Sequence, residues 1–569
     1  MLRAVLSRLG TQTNDRNSKI ILENARLFAS FRNRDFQLDG TDVESSGSLI
    51  TRFARHVAIQ NASNKDPIKY TIRYADYFPV ADMRRFIRDI REIDAEQLPQ
   101  MIVYTSVYKG RTDIPTIVEV VNRLDNECAA KIEEMSQQRI IEVLNALMYF
   151  LPDRIHQLDF FKRAMPTLVN GFGKEQNART FVEVCFYLGM GKKSEFCRNL
   201  MQQFLKNYLD DYADELETMD LAIVANAAFK TSTQLKSQTF LRRVKEAVLS
   251  MEEIDMALMI TFLKCLRHNQ VRSPETLAKV IGWLENGQIT EENSDIRSIG
   301  HLLAFLAENR VAHNEIVSDL FIRGIQLVNS GTLPRYISTL LWSASQLGLT
   351  FTDEVAINRV VQIIFNKLDN GEYRYASDEL IVTSLSLWLL GYKYTDLAKD
   401  ALADTDTNFQ KMAHRVRQDS RRILLQNLLD LERKPLKINR KPSEYLINDR
   451  PALQMTFETL KKCAKEFNFS SVEYVQQIPE LNIAGICAKI GPKDLHVEVF
   501  DNTNTLNDNK TPIGLMRLKK RILEDKKCAV LIVNAAGLVE KEQIEELVKT
   551  EIRDFLDDHS DDEKISIET

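Results

Sequence analysis

The chain has 569 residues, which is too long for one ordinary hydrophobic core and predicts several domains or one extended array of repeats. Its 75 basic and 80 acidic residues give a net charge of -5, which argues against indiscriminate binding of nucleic acid over the whole surface. Seven cysteines without a CxxC pair and eight histidines without an HxxxH pair predict neither a zinc site nor a disulfide framework, and no apolar run has membrane-spanning length.

The first predicted element is a basic segment over residues 1–19. It contains Arg3 and Arg8, no acid precedes Asp15, and its apolar residues recur at helical spacing. Such a segment is typical of a mitochondrial targeting sequence, and an ordinary N-terminal helix is the alternative. The sequence therefore predicts the mitochondrial matrix as the location, with an N-terminal helical region over 20–96.

A repeated pattern occupies residues 97–413. Apolar helices close on a large residue before a turn-like sequence, at intervals of 37 to 43 residues. Two helices and their turns fill that length, so the pattern predicts an α-solenoid of two-helix repeats with a long concave surface. Trp283, Trp342 and Trp388 lie in apolar stretches, which favours core packing over base stacking. The closing residues are Tyr108, Leu151, Leu188, Phe229, Leu266, Leu306, Leu347 and Leu390.

A basic helix and linker are predicted over 414–450. The segment from His414 to Pro442 has nine Arg or Lys against three acids. Arg417 and Arg421 would share a helical ridge, and the prolines favour an extended connector after it. Contact with a polyanion is one interpretation, and a solvated helix face with a polar linker is the other. The candidate contact residues are Arg415, Arg417, Arg421, Arg422, Lys437, Arg440 and Lys441.

The region 451–550 is predicted to be a small α/β domain. A leading helix (Ala452 to Phe467) precedes strands around Leu481 to Ile490 and Leu495 to Phe500, and the AVLIV run (Ala529 to Val533) is a further strand. Between the last two strands, apolar residues at helical spacing predict an amphipathic helix with a cationic side. Its candidate contact residues, with those beside it, are Lys493, Arg517, Lys519, Lys520, Arg521, Lys526 and Lys527.

This region, with its LKKRILED helix and closing AVLIV strand, resembles the RAP domain. That domain has a restriction-endonuclease-like fold and ends organellar RNA-binding proteins, including the Fas-activated serine/threonine kinase (FASTK) family. Asn534, Ala535 and Ala536 stand where the family usually has an aromatic residue. The resemblance implies RNA binding behind a helical array. It implies no kinase activity, because the sequence has neither a kinase signature nor a phosphate-binding loop.

A nuclease-like fold raises the question of metal-dependent cleavage, which needs paired carboxylates and a nearby lysine. Ile483, Ala484 and Gly485 stand where that fold would place an aspartate. No lysine follows two residues after Glu498, although Asp501 lies close. The sequence therefore predicts no catalytic residue, no metal site and no cofactor.

The last predicted segment is an acidic tail over 551–569, with eight acids and two bases. The tail has a net charge of -6, so the other 550 residues sum to +1 and any basic surface is local. We expect the connector and the LKKR helix to converge into one basic surface. The whole sequence predicts a non-enzymatic mitochondrial protein that binds rRNA or mRNA there. A structural subunit of a large mitochondrial complex such as the mitoribosome, binding mainly protein, is the alternative, and an RNA endonuclease is the weaker third.

Overall fold

The structure is a computed structural model in which most described residues are helical and a small mixed sheet lies near the C-terminus, as the sequence predicts. The chain divides between Ser273 and Pro274 into two compact units, so the division falls inside the predicted repeat array. The predicted targeting segment lies outside the described residues. Those residues are 91–99, 101–102, 114–150, 155–173, 175–191, 194–290, 292–312, 314–349, 353–403, 415–433, 441–478 and 481–559.

Helices of the first unit pack in two rows. They are α1 (Ile114–Ala130), α2 (Gln137–Phe150), α3 (Asp159–Gly171), α4 (Ala178–Met190), α5 (Glu195–Tyr212), α6 (Thr218–Thr231), α7 (Gln238–Leu249) and α8 (Met256–His268). Helices two apart in sequence contact each other: α4 packs on α6 and α6 on α8, while α3 packs on α5 and α5 on α7. The even-numbered row is consequently buried on most sides, which requires helices that are apolar nearly all round.

The second unit begins with helices that pack in the same way. They are α9 (Pro274–Glu285), α10 (Ile296–Glu308), α11 (Asn314–Leu327), α12 (Pro334–Gln346), α13 (Glu354–Asp369), α14 (Ser377–Leu390), α15 (Thr395–Ala403) and α16 (Arg415–Arg433). Helices α10, α12, α14 and α16 contact one another in series, and α11 packs on α13. Helix α14 is buried along almost its whole length because it lies between α12 and α16.

From α6 onward, each even-numbered helix through α14 is followed by one residue in the left-handed backbone region. These residues are Ser232, Gln270, Arg310, Gly348 and Gly391, and they follow one another at intervals of 38, 40, 38 and 43 residues. The left-handed residue lets the helix stop and the chain turn away. The spacing that the sequence predicts from apolar helix ends is thus matched by recurring backbone geometry.

A compact α/β module completes the second unit. Its elements are α17 (Tyr445–Asn448), α18 (Pro451–Lys462), β1 (Phe469–Val475), β2 (Gly485–Ile490), β3 (Lys493–Phe500), α19 (Gly514–Asp525), β4 (Ala529–Asn534) and α20 (Lys541–His559). The sheet order is β1-β2-β3-β4, with the first two pairings antiparallel. Strands β3 and β4 are parallel, so α19 is the crossover that returns the chain between them.

The two faces of β3 have different environments. Leu495, Val497 and Val499 belong to a buried apolar cluster that includes residues of α18 and α20. His496 and Glu498 alternate with them and therefore face the side on which α19 lies. The sequence missed β1, whose polar and apolar residues do not alternate cleanly. It also placed the ends of α18 and the start of β2 a few residues away from those observed.

Candidate nucleic-acid interface

Helix α19 and the loop before it lie along the C-terminal turns of α10, α12 and α14 in the same unit. The backbone N–H of Asn507 donates to the carbonyl of Arg310 at 2.8 Å, in the turn after α10. The Asn507 side chain also accepts from the Ala312 N–H at 2.7 Å. Gly514, the first residue of α19, lies so close to the Ser345 carbonyl of α12 that a side chain would overlap it. The module is therefore seated directly on the helical part of the same unit.

Two arginines of α19 continue this contact. The Arg517 side chain lies against Gly348 after α12, and the Arg521 guanidinium donates to the Trp388 carbonyl near the end of α14. The carbonyl ends of helices carry partial negative charge, so a guanidinium there is stabilising. Burial lowers the pKa of both arginines from the usual value. The predicted cationic side of α19 therefore packs largely against other helices. Lys520 is more exposed than these arginines, and its ammonium lies 3.4 Å from the Glu524 carboxylate one turn away.

Lys519 does not lie on that cationic side. Its side chain is fully buried, and its ammonium donates to the Glu498 carboxylate of β3 at 2.7 Å and to the Ile483 carbonyl at 3.2 Å. Gln477 donates to the other carboxylate oxygen at 3.2 Å. Burial raises the pKa of Glu498 and lowers the pKa of Lys519. The positive charge of Lys519 opposes the rise for Glu498, and the negative charge of Glu498 opposes the fall for Lys519. The prediction that Lys519 contacts RNA is wrong, because its buried side chain joins α19 to the sheet.

Asp501, the second carboxylate near β3, has its own partner. The Arg450 guanidinium donates to it at 2.6 Å and to the Ala484 and Val499 carbonyls at 2.7 Å each. Both Arg450 and Asp501 are buried. The bond network fixes the end of β3 to the residue before α18. The sequence analysis did not identify Arg450 as a candidate residue. Its position directly before Pro451, where α18 begins, was the one sequence feature that pointed to a structural role.

The geometry gives no support to metal-dependent cleavage. The two carboxylates are neutralised separately, Glu498 by a lysine and Asp501 by an arginine. A side chain at Gly485 would place its Cβ 2.7 Å from a Glu498 oxygen, so there is no room for an aspartate beside the pair. In the part of the chain that the structure describes, no group of three or more His, Cys, Asp or Glu could hold a metal ion.

Exposed lysines gather instead at one end of the sheet, which we call the lysine edge. It consists of Lys489, Lys493, Lys526 and Lys527. Leu495 of β3 is paired with Ala529 of β4, so Lys493 and Lys527 lie at the same end of neighbouring parallel strands. The β2–β3 turn brings Lys489 to this end, and Asp494 lies between the lysines. All four are exposed or half-buried. Four bases and one acid give this edge a local positive charge.

The other predicted contact residues lie on or after α16. Arg421 lies over the Trp342 ring, with its Cζ 4.6 Å from the ring centroid. Arg422 donates to the Leu402 carbonyl at 2.5 Å, and Lys441 is exposed. Convergence of these residues with the LKKR helix into one basic surface stays a prediction. Lys437 and Arg440 lie outside the described residues, as do the side chains of Arg415 and Arg417, whose backbone belongs to α16.

No family model matches the chain, and comparison with curated proteins gives no significant match either. All seven cysteines are free thiols, and five of them are buried. Within the described ranges, no helix combines the length and apolar character that crossing a bilayer requires.

Proposed function

We propose that this chain is a non-catalytic RNA-binding protein that contacts RNA through the lysine edge of its C-terminal module. The packing of helices two apart supports an α-solenoid for the helical part. The four-stranded mixed sheet with helices on both faces supports a RAP-like module of restriction-endonuclease-like topology. The observation that carries RNA binding is that four exposed or half-buried lysines gather at one end of that sheet, whereas Lys519 is buried and Arg517 and Arg521 contact other helices.

The lysine edge acts through phosphate neutralisation. A lysine ammonium is a compact point charge on a flexible stem, so it binds phosphate without reading a base. Three to four phosphate contacts to a single strand release counterions and give a slope of log affinity against log salt of about -2 to -3. The edge therefore supplies affinity and position rather than sequence specificity.

Fluorescence anisotropy with labelled RNA at several salt concentrations tests this assignment. The double substitution Lys493→Glu and Lys527→Glu should weaken binding at least about tenfold and make the salt slope shallower by about 1 to 2. Lys206→Glu, at an exposed position of α5, is the matched charge control and should change neither quantity. Unchanged affinity of the double variant, or no salt dependence of the native protein, would refute the lysine edge as the RNA site.

A structural subunit of a large mitochondrial complex is the second candidate. It is favoured by one observation: Arg517 and Arg521 hold the module on the helical part of the same unit and are not presented to a nucleic acid. Sedimentation of the complex before and after RNase treatment separates the two functions. RNA binding predicts that nuclease releases the chain, and a protein-bound subunit predicts that it stays.

Matrix localisation belongs to the same proposal and rests on the basic segment 1–19. A fluorescent fusion of the full chain should co-localise with mitochondria. Arg3→Glu with Arg8→Glu should disperse it, because targeting helices require positive charge. Arg16→Lys is the control that keeps the charge. Dispersed fluorescence of the native fusion would contradict the localisation.

A further inference from the structure

A second surface of the same unit carries arginines that lie over aromatic rings. The Arg421 Cζ is 4.6 Å from the centroid of Trp342, and the Arg335 Cζ is 4.8 Å from the centroid of Tyr336. Arg335 also donates to the Tyr336 hydroxyl at 2.9 Å. Each guanidinium therefore lies within the distance at which a cation is attracted to an aromatic ring. We call this set, Arg335, Tyr336, Trp342 and Arg421, the stacking face.

The stacking face lies along α12 and is completed by α16. Arg335 and Trp342 are seven residues apart, so they share one side of the helix at a distance of about 10 Å along its axis. Trp342 is half-buried, whereas Trp283 and Trp388 are 4% and 3% exposed. The sequence-based expectation that all three tryptophans pack in the core therefore fails at Trp342, where a basic residue of α16 covers the ring.

We propose that the stacking face binds single-stranded RNA by stacking its bases on the two arginine planes. This inference rests on the proposed function and names the form of RNA and a second contact surface. A guanidinium is planar and delocalised, and when one side rests on an aromatic ring the other side suits a second planar group. Nucleobases stack on arginine planes in this manner, and they are free to do so in single strands rather than in duplexes.

The two surfaces then have separable chemistry. The lysine edge attracts phosphates whether or not bases are attached, while the stacking face requires bases. Stacking contributes affinity that is tolerant of sequence and nearly independent of salt, because every base has a planar face. An abasic strand of the same length is accordingly a ligand for the lysine edge alone.

The test measures binding of three ligands by anisotropy: a labelled single-stranded oligoadenylate, an abasic strand of equal length and an RNA duplex. The double variant Arg335→Lys and Arg421→Lys keeps both charges but removes the planes. It should lose at least about fivefold in affinity for oligoadenylate and little for the abasic strand. Arg359→Lys is the control, since Arg359 is an exposed arginine of α13 that bonds the Ile325 carbonyl. Trp342→Leu removes the ring under Arg421 and should show the same selective loss.

Two results with the double variant would overturn the inference. One is unchanged affinity for oligoadenylate; the other is an equal loss for the abasic strand, which would mean that the arginines act only as charges. If Trp342→Leu does not fold, as judged by circular dichroism, the two lysine substitutions decide the question. If the native protein binds the abasic strand as tightly as oligoadenylate, the stacking face is refuted while the lysine edge stands. If the native protein binds none of the three ligands, both the proposed function and the inference are refuted.

Discussion

Replacement of Lys519 by methionine tests whether the buried ion pair joins α19 to the sheet. Methionine retains an unbranched side chain and removes the charge, leaving Glu498 without its partner at 2.7 Å in a site that solvent does not reach. Removing one partner of a buried pair costs about 3–5 kcal/mol. The carboxylate can escape part of that cost by protonation, since burial already raises its pKa. We therefore expect a loss near the lower end, about 3 kcal/mol at pH 7.

Urea denaturation followed by tryptophan fluorescence measures this loss. Trp283, Trp342 and Trp388, the three tryptophans of the chain, all lie in the second unit, so the signal reports on the unit that contains the pair. Burial already raises the pKa of Glu498, and Lys519 opposes that rise, so the Lys519→Met variant should raise the folded pKa further. A group with a raised folded pKa loses its stabilising effect as pH rises through that pKa. The deficit of the variant should therefore be smaller at pH 5 than at pH 8.

A double-mutant cycle supplies the decisive comparison. Glu498→Gln alone should also destabilise the unit, because it leaves a buried ammonium without its counter-charge. The combined variant, which has no buried charge at either position, should lose much less than the sum of the single losses. A single-variant loss below about 1 kcal/mol, or simple additivity, would refute the reasoning that the pair is buried and coupled.

Three further outcomes are expected. Arg521→Ala removes a charge-assisted hydrogen bond to a helix end and should cost about 1.5–3 kcal/mol, whereas Lys520→Ala, in a partly exposed pair, should cost at most about 1 kcal/mol in the same urea titration. Gly514→Ala forces an overlap with a backbone carbonyl and should lower the melting temperature, whereas Gly282→Ala meets nothing within 4 Å and should raise stability by up to about 1 kcal/mol. Burial lowers the pKa of His496, so just below pH 6.5 the native state binds fewer protons than the unfolded state. The free energy of unfolding of the second unit should therefore fall as the pH drops from 7 to 5. His496→Gln should make that pH dependence weaker.

Sequence patterns predicted the elements whose environment is uniform along their length. The AVLIV run of β4 is continuous and apolar, and the Leu495 to Phe500 run of β3 alternates apolar residues with His496 and Glu498, as a strand between two different faces does. Both were located to within two residues. Helix α19 was found because its apolar residues recur at helical spacing. Strand β1 was missed, since its polar and apolar residues form neither a continuous apolar run nor a regular alternation.

The sequence by itself determined that helices at a recurring spacing precede a small α/β module, because periodicity and turn residues are local properties of the chain. Only the tertiary structure decided which positive charges are available to a partner. Lys519 pairs with a carboxylate 21 residues away and Arg521 bonds a carbonyl 133 residues away, so neighbouring residues of one basic helix face different surroundings. Helical periodicity cannot distinguish them, because α19 packs between a sheet and the ends of other helices, and elements distant in sequence cover only some of its charged residues.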